Sequence, residues 1–248
     1  MSDFKEDLAF LCKPKCGFIN TTGKFVIQPK FEFAKEFSEG VAAVLVRDKQ
    51  SGKELWGYIN QDGKLIIQPQ FRRAYSFSEG IARVGFPEPV RGIKYAYINR
   101  GGNVITSSHF DDADDFSNGL ANVKLGKLWG FIDYTGRFKI SPQYRSVGSF
   151  REGLAPVKTK GWGYINSRNE MVIKPQFDRA YPFSEGLARV QSKDRWGYID
   201  KTGKLVIPYK FDNADDFVEG FALVRLTPKS DFMFIDKKDQ TLTISKPN

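Results

Sequence analysis

Aromatic residues and glycines recur along this chain at fixed distances. An aromatic or cysteine position is followed fifteen residues later by Phe or Tyr, six further by Phe, and three further by Gly. The six complete registers begin at Cys16, Trp56, Tyr95, Trp129, Trp162 and Trp196. None contains an insertion, and a seventh begins at Phe232. Since a fixed period means that one supersecondary unit is copied, the pattern predicts a tandem-repeat protein.

Each repeat contains three segments with the composition of β-strands. In the sixth register these are residues 186–190 (Gly-Leu-Ala-Arg-Val), 196–200 (Trp-Gly-Tyr-Ile-Asp) and 204–207 (Lys-Leu-Val-Ile). Runs rich in Val, Ile and aromatic residues between Gly and Asp or Asn are typical of strands. Gly203 ends the short loop between the second and third segments, and glycine supplies the positive φ of a tight hairpin. The second and third segments are therefore predicted to pair as an antiparallel hairpin.

Two further features of the repeat carry structural information. A glycine within a strand indicates close approach of another backbone or a large ring, so the Gly of Trp-Gly predicts such a contact. After the third segment, Pro69 ends the strand, and Phe71, Ala74 and Phe77 follow at a spacing of three. This spacing predicts a turn of 3₁₀ or irregular helix that places two Phe rings in the core.

These elements predict an all-β fold of seven three-stranded antiparallel meanders in one domain over residues 1–248. The predicted units are approximately 8–40, 41–80, 81–119, 120–153, 154–186, 187–220 and 221–248. The first and last units are degenerate, with Cys16 in place of Trp and Phe232-Met233 in place of Trp-Gly. Degenerate end units favour an open, curved, solenoid-like array. The alternative is a seven-bladed, propeller-like toroid, because seven is a common number of blades.

The repeat resembles the WG (or KWG) repeat family of bacterial proteins. The fifth unit carries the shared pattern in Trp162-Gly163-Tyr164-Ile165, Pro175, Phe177-Asp178 and 183–188 (Phe-Ser-Glu-Gly-Leu-Ala), and the sixth carries it from Trp196 to Gly220. In the sixth unit Pro208-Tyr209 is shifted by one position. The resemblance implies an interaction module, and it brings no catalytic residues or cofactor.

Composition changes this interpretation little. The net charge of +9 permits binding to nucleic acid or to an anionic surface. However, the Lys and Arg residues are spread over every unit and alternate with acidic clusters, whereas a nucleic-acid footprint is normally a patch or stripe. The chain has no secretory signal pattern near its start and no run of apolar residues long enough to span a membrane, so we expect a cytoplasmic protein.

Candidate catalytic and metal-binding residues are explained better as parts of the repeat. His109 fills a slot that holds Lys or Gln in the other units. Cys12 and Cys16 provide too few ligands for structural zinc, so we expect Cys16 to pack in the first unit, and a metal site or a disulfide is the less favoured alternative. The cluster 111–115, like its counterpart 212–216, is expected to face solvent rather than to bind calcium. A connector Glu precedes Gly in five units, and its carboxylate is expected to accept backbone N–H bonds. A hydrolase that uses these aligned carboxylates is the enzymatic alternative.

Only the segment between the first and second strands varies in length. The spacing from the connector Gly to the next Trp slot is 16, 15, 10, 9, 10 and 12 residues in successive units. Equivalent loops of stacked units lie along one edge, and insertions often mark a binding face. We therefore predict a non-catalytic scaffold without cofactors or metals that binds a protein partner through this edge. The candidate binding residues are Arg47, Lys49, Lys53, Phe86, Arg91, Lys94, Lys127, Lys160 and Arg195.

Overall fold

The protein folds into small antiparallel β-sheets. A computed structural model describes residues 2–48, 50–88, 92–106 and 109–242, and within them no helix has the length and apolar composition needed to cross a membrane. The described strands form seven sheets, which confirms the predicted all-β repeat. The chain divides into two compact units, residues 1–126 with 132–138, and residues 127–131 with 139–248. The choice between an open array and a toroid stays a prediction.

The first compact unit contains the strands of the first repeats. They are β1 (Leu8–Cys12), β2 (Cys16–Asn20), β3 (Phe25–Phe31), β4 (Phe33–Ala34), β5 (Val41–Arg47), β6 (Glu54–Asn60), β7 (Leu65–Phe71), β8 (Arg73–Ser78), β9 (Ile81–Glu88), β10 (Gly92–Asn99), β11 (Asp112–Ala113) and β12 (Ala121–Leu125). Strands β1 to β3, β4 to β7 and β8 to β10 form separate sheets in which neighbours in sequence pair.

The second compact unit repeats the same arrangement. Its strands are β13 (Leu128–Ile132), β14 (Phe138–Tyr144), β15 (Ser146–Val147), β16 (Leu154–Lys158), β17 (Trp162–Asn166), β18 (Met171–Phe177), β19 (Arg179–Ala180), β20 (Ala188–Ser192), β21 (Arg195–Ile199), β22 (Leu205–Phe211), β23 (Asn213–Ala214), β24 (Phe221–Arg225) and β25 (Met233–Asp236). Strands β15 to β18 and β19 to β22 are four-stranded meanders, and β23 to β25 form a three-stranded sheet.

The predicted three-strand meander is present in most repeats. In the fifth repeat, Val157 of β16 lies opposite Gly163 of β17, and Trp162 lies opposite Phe177 of β18. The third repeat departs from this pattern: among its described residues the third segment makes only isolated bridges, at Val104 and Phe110. The predicted last strand begins at Leu242, and residues 243–244 lie outside the described part of the chain.

The connector is an extended segment, so the prediction of a 3₁₀ or irregular helix was wrong. In the second sheet, β4 follows β3 after one residue, and Ala34 pairs with Val44 of β5. The spacing of three arises because the chain bends after a two-residue strand, and Phe31, Ala34 and Phe37 are all buried. The prediction that two Phe rings of the connector enter the core is confirmed. The extended form is favoured because it satisfies backbone groups by pairing with the next strand.

The connector ends in a two-residue hairpin. The backbones of Ser38 and Val41 exchange two hydrogen bonds, and the two residues between them, Glu39 and Gly40, have φ angles of 55° and 78°. Two successive positive φ values match the twist of adjacent strands. Gly and Asn adopt this conformation easily, whereas a Glu residue does so at a cost of about 1 kcal/mol. A Glu at this position therefore needs a compensating interaction.

The cores within each compact unit lie between consecutive sheets. One cluster joins Tyr164 and Phe177 of the β15–β18 sheet to Val190 and Ile199 of the following sheet, all of them buried. The ring of Tyr164 meets Phe183 at a centroid distance of 5.0 Å. Since a single meander exposes one apolar face, each sheet depends on its neighbour for burial, as in other repeat proteins.

The buried Tyr of the Trp-Gly-Tyr-Ile segment forms a hydrogen bond between the second strand and the connector. The hydroxyls of Tyr58, Tyr164 and Tyr198 donate to the carbonyls of Tyr75, Tyr181 and Asp215 at 2.7–2.8 Å. Burial raises the pKa of Tyr164 far above its ordinary value, so the hydroxyl stays protonated and can donate.

A close backbone contact explains the glycine that follows Trp. A Cβ on Gly163 would lie 2.4 Å from the carbonyl oxygen of Ile173 and 2.9 Å from the nitrogen of Pro175. The corresponding glycines, Gly17, Gly57, Gly130 and Gly197, have the same clash at 2.5–2.6 Å. The predicted close approach is thus confirmed, and its cause is the backbone of the third strand. In the third repeat, the slot holds Ala96, and there the third segment makes only the isolated bridges described above.

The two cysteines form a disulfide, so the prediction that Cys16 only packs was incomplete. Cys12 and Cys16 face each other where β1 and β2 meet, with a Cα–Cα distance of 3.9 Å. Cys16 is fully buried in the first core cluster, as predicted. The cross-strand position, not the sequence spacing alone, brings the two sulfurs together.

Candidate functional site

The predicted loop edge consists of the hairpin loops that join pairs of long strands such as β5 and β6 in each repeat, together with the adjoining strand ends, and we use this name below. Seven of its nine candidate residues are described, whereas Lys49 and Arg91 lie outside the described residues. Lys53, Lys127 and Lys160 are exposed. The remaining four candidates contact other parts of the protein.

Arg47 is engaged in ion pairs at the end of the β5–β6 hairpin. Its guanidinium Nη2 lies 2.5 Å from Glu54 Oε1, and its Nε lies 3.6 Å from Glu32 Oε1. The hydrogen bond from Lys15 holds the pKa of Glu32 below its ordinary value, so this carboxylate is ionised at neutral pH. The β5–β6 hairpin, which carries the longest insertion, is therefore closed at its end by a charged network rather than by free cations.

Phe86 of β9 and Lys94 of β10 lie opposite each other in the β9–β10 hairpin, so they are strand residues rather than the loop residues that the sequence predicted. Both also have partners elsewhere. Lys94 Nζ lies 2.6 Å from Asp111 Oδ1. The half-buried Phe86 ring stacks on His109 at a centroid distance of 5.2 Å and meets Phe71 edge-on at 5.5 Å. Phe86 thus anchors its strand to the core, and only part of the ring faces solvent.

A cleft of about 710 Å³ lies between the β5–β6 and β9–β10 hairpins of the first compact unit. One wall comes from β6 and its loop, and the opposite wall comes from the start of β10. It is lined by Lys53, Glu54, Leu55, Gln70, Arg72, Gly92 and Ile93. A volume of this size is typical of ligand sites, which usually combine apolar walls with a few polar groups. The loop edge of this unit therefore has a concave surface that the sequence pattern could place only approximately.

A second cleft of about 710 Å³ lies on the loop edge of the second compact unit. It is lined by Gln143, Arg145, Ser146, Lys158, Thr159 and Lys160. Of the predicted residues, Lys160 belongs to this cleft, and Arg195 donates from Nη1 to the carbonyl of Leu226 at 2.9 Å. Arg72 and Arg145 line the two clefts, although the sequence prediction named neither.

The connector carboxylates accept backbone N–H bonds, as predicted, but from the next connector. Glu39 accepts from Gly80 at 3.0 Å, Glu152 from Gly186 at 3.1 Å, and Glu185 from Gly220 at 2.9 Å. Asn or Gly would suit the positive φ of this slot better, but their side chains are too short to reach the next turn. Glu is therefore used because its carboxylate links successive repeats.

The same carboxylates contact a second repeat position, in the loop between the second and third strands. Glu39 accepts from Arg100 and Glu79 from the hydroxyl of Tyr134, at 3.0 and 2.8 Å. Lys201 and Lys237 occupy the equivalent loop position, and they pair with Glu152 and Glu185 at 3.0 Å. These carboxylates therefore join one repeat to the next through both the connector and this loop.

Acid is expected to weaken the contacts that these connector carboxylates make between repeats. Burial opposes ionisation of Glu152, but hydrogen bonds from Lys201 and Gly186 outweigh it and hold its pKa below the ordinary 4.5. A carboxyl whose pKa is lower in the folded state stabilises the fold above the unfolded pKa, and this contribution is lost as pH falls through the folded pKa. We expect Glu152→Gln to cost about 1 kcal/mol at neutral pH.

The measurement is urea unfolding of both proteins at neutral pH and at several values below 4.5. The wild-type advantage should shrink towards acid, because only the wild type loses a charge. An advantage that stays constant over this range would contradict the role of the ionised carboxylate.

Two arginine clusters were missed by the sequence prediction. Arg189 Nε lies 2.8 Å from Asp216, its Nη1 donates to the carbonyl of Ala214 at 2.6 Å, and its guanidinium lies 3.8 Å from the centroid of Tyr181. Arg83 is placed in the same way beside Asp115 and Tyr75. The acidic clusters are thus only partly the solvent-facing positions that the sequence predicted.

Lys35 lies in the cluster around Arg83 and Tyr75. Its Nζ lies 4.3 Å from the ring centroid of Tyr75 and 5.8 Å from that of Trp56. Burial lowers the pKa of Lys35, and burial also raises the pKa of Asp115 against the opposing effect of Arg83. The signal in the sequence was an Arg in the first strand followed by paired aspartates in the next connector.

Comparison with known proteins identifies the repeat. A family profile described as WG containing repeat matches residues 17–49, 56–85, 95–129, 129–161, 162–196 and 196–227. No curated protein sequence matches the chain.

Solved structures match the chain at low sequence identity. The crystal structure of the eukaryotic initiation factor matches 99% of this chain and 74% of its own, with 13% identity and a TM-score of 0.64. An acylaminoacyl peptidase of Pyrococcus horikoshii matches 92% of this chain and 47% of its own, with 11% identity and a TM-score of 0.45. The β-propeller domain of the Trilobed protease from Pyrococcus furiosus matches 97% of this chain and 94% of its own, with 11% identity and a TM-score of 0.44.

Proposed function

Because the chain belongs to the WG containing repeat family, we propose that it is a non-catalytic scaffold that binds a protein partner through its loop edge. The repeat supplies a series of similar sheets, and the variable loops supply the recognition surface. In repeat proteins the repeated elements usually provide the scaffold, and the loops usually carry the binding residues.

The observation that carries the proposal is the cleft between the two longest hairpins, β5–β6 and β9–β10. Lys53, Glu54 and Leu55 come from the end of the β5–β6 hairpin, and Gly92 and Ile93 come from the start of β10. Both insertions thus contribute to a single concave surface in the first compact unit. Leu55 and Ile93 are only partly buried, so they offer apolar contacts beside the exposed Lys53 and Arg72. Surfaces that combine apolar side chains with an arginine are typical of protein interfaces.

The enzymatic alternative has less support. The carboxylates of Glu39, Glu79, Glu152 and Glu185 each accept at least one backbone N–H from the next connector. A catalytic carboxylate pair needs two groups that face a substrate across a cleft. Carboxylates that hold repeats together do not meet that requirement.

Binding to nucleic acid or to an anionic surface is also less well supported. Arg47 and Lys94, two of the candidate cations, are neutralised by Glu54 and Asp111. Attraction to a polyanion depends on cations that release the counterions of its phosphates. Pairing of these two residues leaves fewer cations for such attraction, although Lys53, Lys127 and Lys160 stay exposed.

Shortening one long loop tests the proposal. Residues 46–55 are replaced by Thr-Lys-Gly, so that these three residues join Leu45 to Trp56. The template is the fifth repeat, where the same three residues, 159–161, join the paired positions Lys158 and Trp162. We expect the variant to fold, because the same hairpin exists elsewhere in the chain, and to lose its partner. The measurement is quantitative mass spectrometry of proteins purified with the tagged chain from its host.

The matched control alters a loop that is already short. Lys193 and Asp194 both have positive φ, so Lys193→Asn combined with Asp194→Gly preserves the turn and should keep the same partner. If the shortened variant retains the partners of the wild type, the loop edge of the first compact unit is not the binding site.

A further inference from the structure

One position of the repeat reverses its charge in two of six units. The residue that follows the Phe or Tyr of each register is acidic in four of them. In the second and fourth registers the same position holds Arg72 and Arg145. We call this position the charge slot; its acidic members are Glu32, Asp111, Asp178 and Asp212.

Each acidic charge slot contacts the loop edge of the following sheet. Asp111 accepts from the backbone N–H of Gly126 at 2.7 Å, and Asp178 accepts from that of Lys193 at 2.8 Å. Asp212 pairs with Arg225 at 2.8 Å, and Glu32 lies 3.6 Å from Arg47. The backbone geometry that the repeats share therefore places a carboxylate next to hydrogen-bond donors on the neighbouring hairpin.

At Arg145 the slot presents a cation where its equivalents present a carboxylate. Arg145, Lys158 and Lys160 are exposed and line one cleft, and no acidic residue is among the residues that line it. Within the described ranges, none of these three side chains forms an ion pair. The cleft therefore holds three like charges without the anion that balances equivalent positions in other repeats.

The Arg72 cleft has the same reversal of charge, but an acidic residue also lines this cleft. Arg72 is exposed and lines the cleft together with Lys53 and Glu54. The carboxylate of Glu54 is already bound by Arg47. Two cations of this cleft thus remain available beside the apolar surface of Leu55 and Ile93.

From this reversal we infer that the clefts at Arg145 and Arg72 bind Asp or Glu side chains of an acidic peptide segment in the partner. The partner's carboxylate supplies the anion that Glu32, Asp111, Asp178 and Asp212 supply in the other repeats. The planar guanidinium of Arg binds a carboxylate through two parallel hydrogen bonds, and flanking lysines add attraction. This inference rests on the proposed function and names the chemistry of the partner that the loop edge recognises.

The test measures binding of a fluorescein-labelled oligoglutamate peptide to the full chain by fluorescence anisotropy. The variant Arg145→Asp restores the residue type of the acidic slots, so it should fold and pair with the lysines of its own cleft. We expect it to weaken binding by at least about tenfold, and Arg72→Asp to weaken it by a smaller factor. Arg145→Gln, which removes the charge without adding one, should give the intermediate result and replaces Arg145→Asp if that variant does not fold.

The matched control is Lys174→Asp, which changes the net charge equally at an exposed site on β18 outside both clefts. It should weaken binding less than about twofold, since net charge alone acts at long range and is screened by salt. Oligoglutamine of the same length should not bind. Equal effects of Lys174→Asp and Arg145→Asp would overturn the inference.

A single-stranded oligothymidine of equal charge distinguishes carboxylate from phosphate recognition. Tighter binding of the oligothymidine, lost in Arg145→Asp, would mean that the cleft selects phosphate and would overturn the assignment to an acidic peptide. Because these measurements use purified protein and synthetic probes, their outcome is separate from the fate of the host partner in the loop-shortening experiment.

Discussion

Replacing Gly163 by Ala is expected to destabilise the protein by about 3 kcal/mol, although the substitution adds one methyl group. The new Cβ would lie 2.4 Å from the carbonyl oxygen of Ile173 and 3.0 Å from the carbonyl carbon of Lys174. These are backbone atoms of β18, so no side chain can rotate away to relieve the clash. The strand must move, and the pairing of β17 with β18 is weakened.

Urea unfolding measures this effect, and the third repeat provides the matched control. Ala96 occupies the slot of Gly163, where the third segment makes only isolated bridges among the described residues. Ala96→Gly should therefore cost no more than about 1 kcal/mol, the ordinary cost of glycine in a strand. A free energy of unfolding for Gly163→Ala within about 0.5 kcal/mol of the wild type would show that the third strand does not constrain this slot.

Replacing Arg189 by Met is expected to cost about 2 kcal/mol, because three interactions are lost together. The guanidinium neutralises Asp216, binds the carbonyl of Ala214 and covers the ring of Tyr181. Met fills part of the same volume but leaves the half-buried Asp216 carboxylate without its cation. The loss is smaller than at a fully buried pair because Asp216 retains some contact with water.

A double-mutant cycle separates these contributions. Arg189→Met combined with Asp216→Asn should recover about half of the loss, since no unpaired carboxylate remains. Arg189→Lys should be intermediate, because an ammonium group keeps the charge without the planar stack and the two-sided hydrogen bonding. If Asp216→Asn brings no recovery in the Arg189→Met background, the ion pair does not hold this connector.

The repeat pattern predicted the interior of each unit well. Phe31 and Phe37 are buried, β17 and β18 form the expected hairpin, and the glycine after Trp faces a neighbouring backbone. These features depend on contacts within one period, and the period fixes their spacing. The connector was predicted less well, because the same spacing of three suits both a helical turn and a bent, extended segment.

Contacts between repeats were predicted only in part. The sequence indicated that Glu152 accepts a backbone N–H, but the donor, Gly186, belongs to the next connector. The pairing of Arg189 with Asp216 likewise joins one repeat to the next, whereas the disulfide between Cys12 and Cys16 depends on the register of two strands within the first repeat. Each depends on how strands and sheets face one another, which one period does not specify. Complementary charges at fixed repeat positions, as for Glu152 and Lys201, are the signal that identifies such pairs.

The candidate site was located by its variable length, and its chemistry came from the structure. The insertion lengths identified the two hairpins that line the cleft around Leu55 and Ile93. The arginines of the charge slot were not recognised, because Arg72 and Arg145 follow a conserved aromatic and look like ordinary surface variation. Their meaning emerges only when the carboxylates of the other repeats are seen to contact the loop edge.

Site-specific photo-cross-linking tests most directly whether the partner contacts the loop edge. A benzophenone amino acid is placed at Lys53, in the cleft, and separately at Val206, an exposed apolar position on β22. After illumination in the host, we predict a cross-linked product from position 53 and none from position 206. The product from position 53 should disappear when the other residues of the segment 47–54 are changed to Gly and Ser. A cross-link from position 206 and none from position 53 would contradict the account.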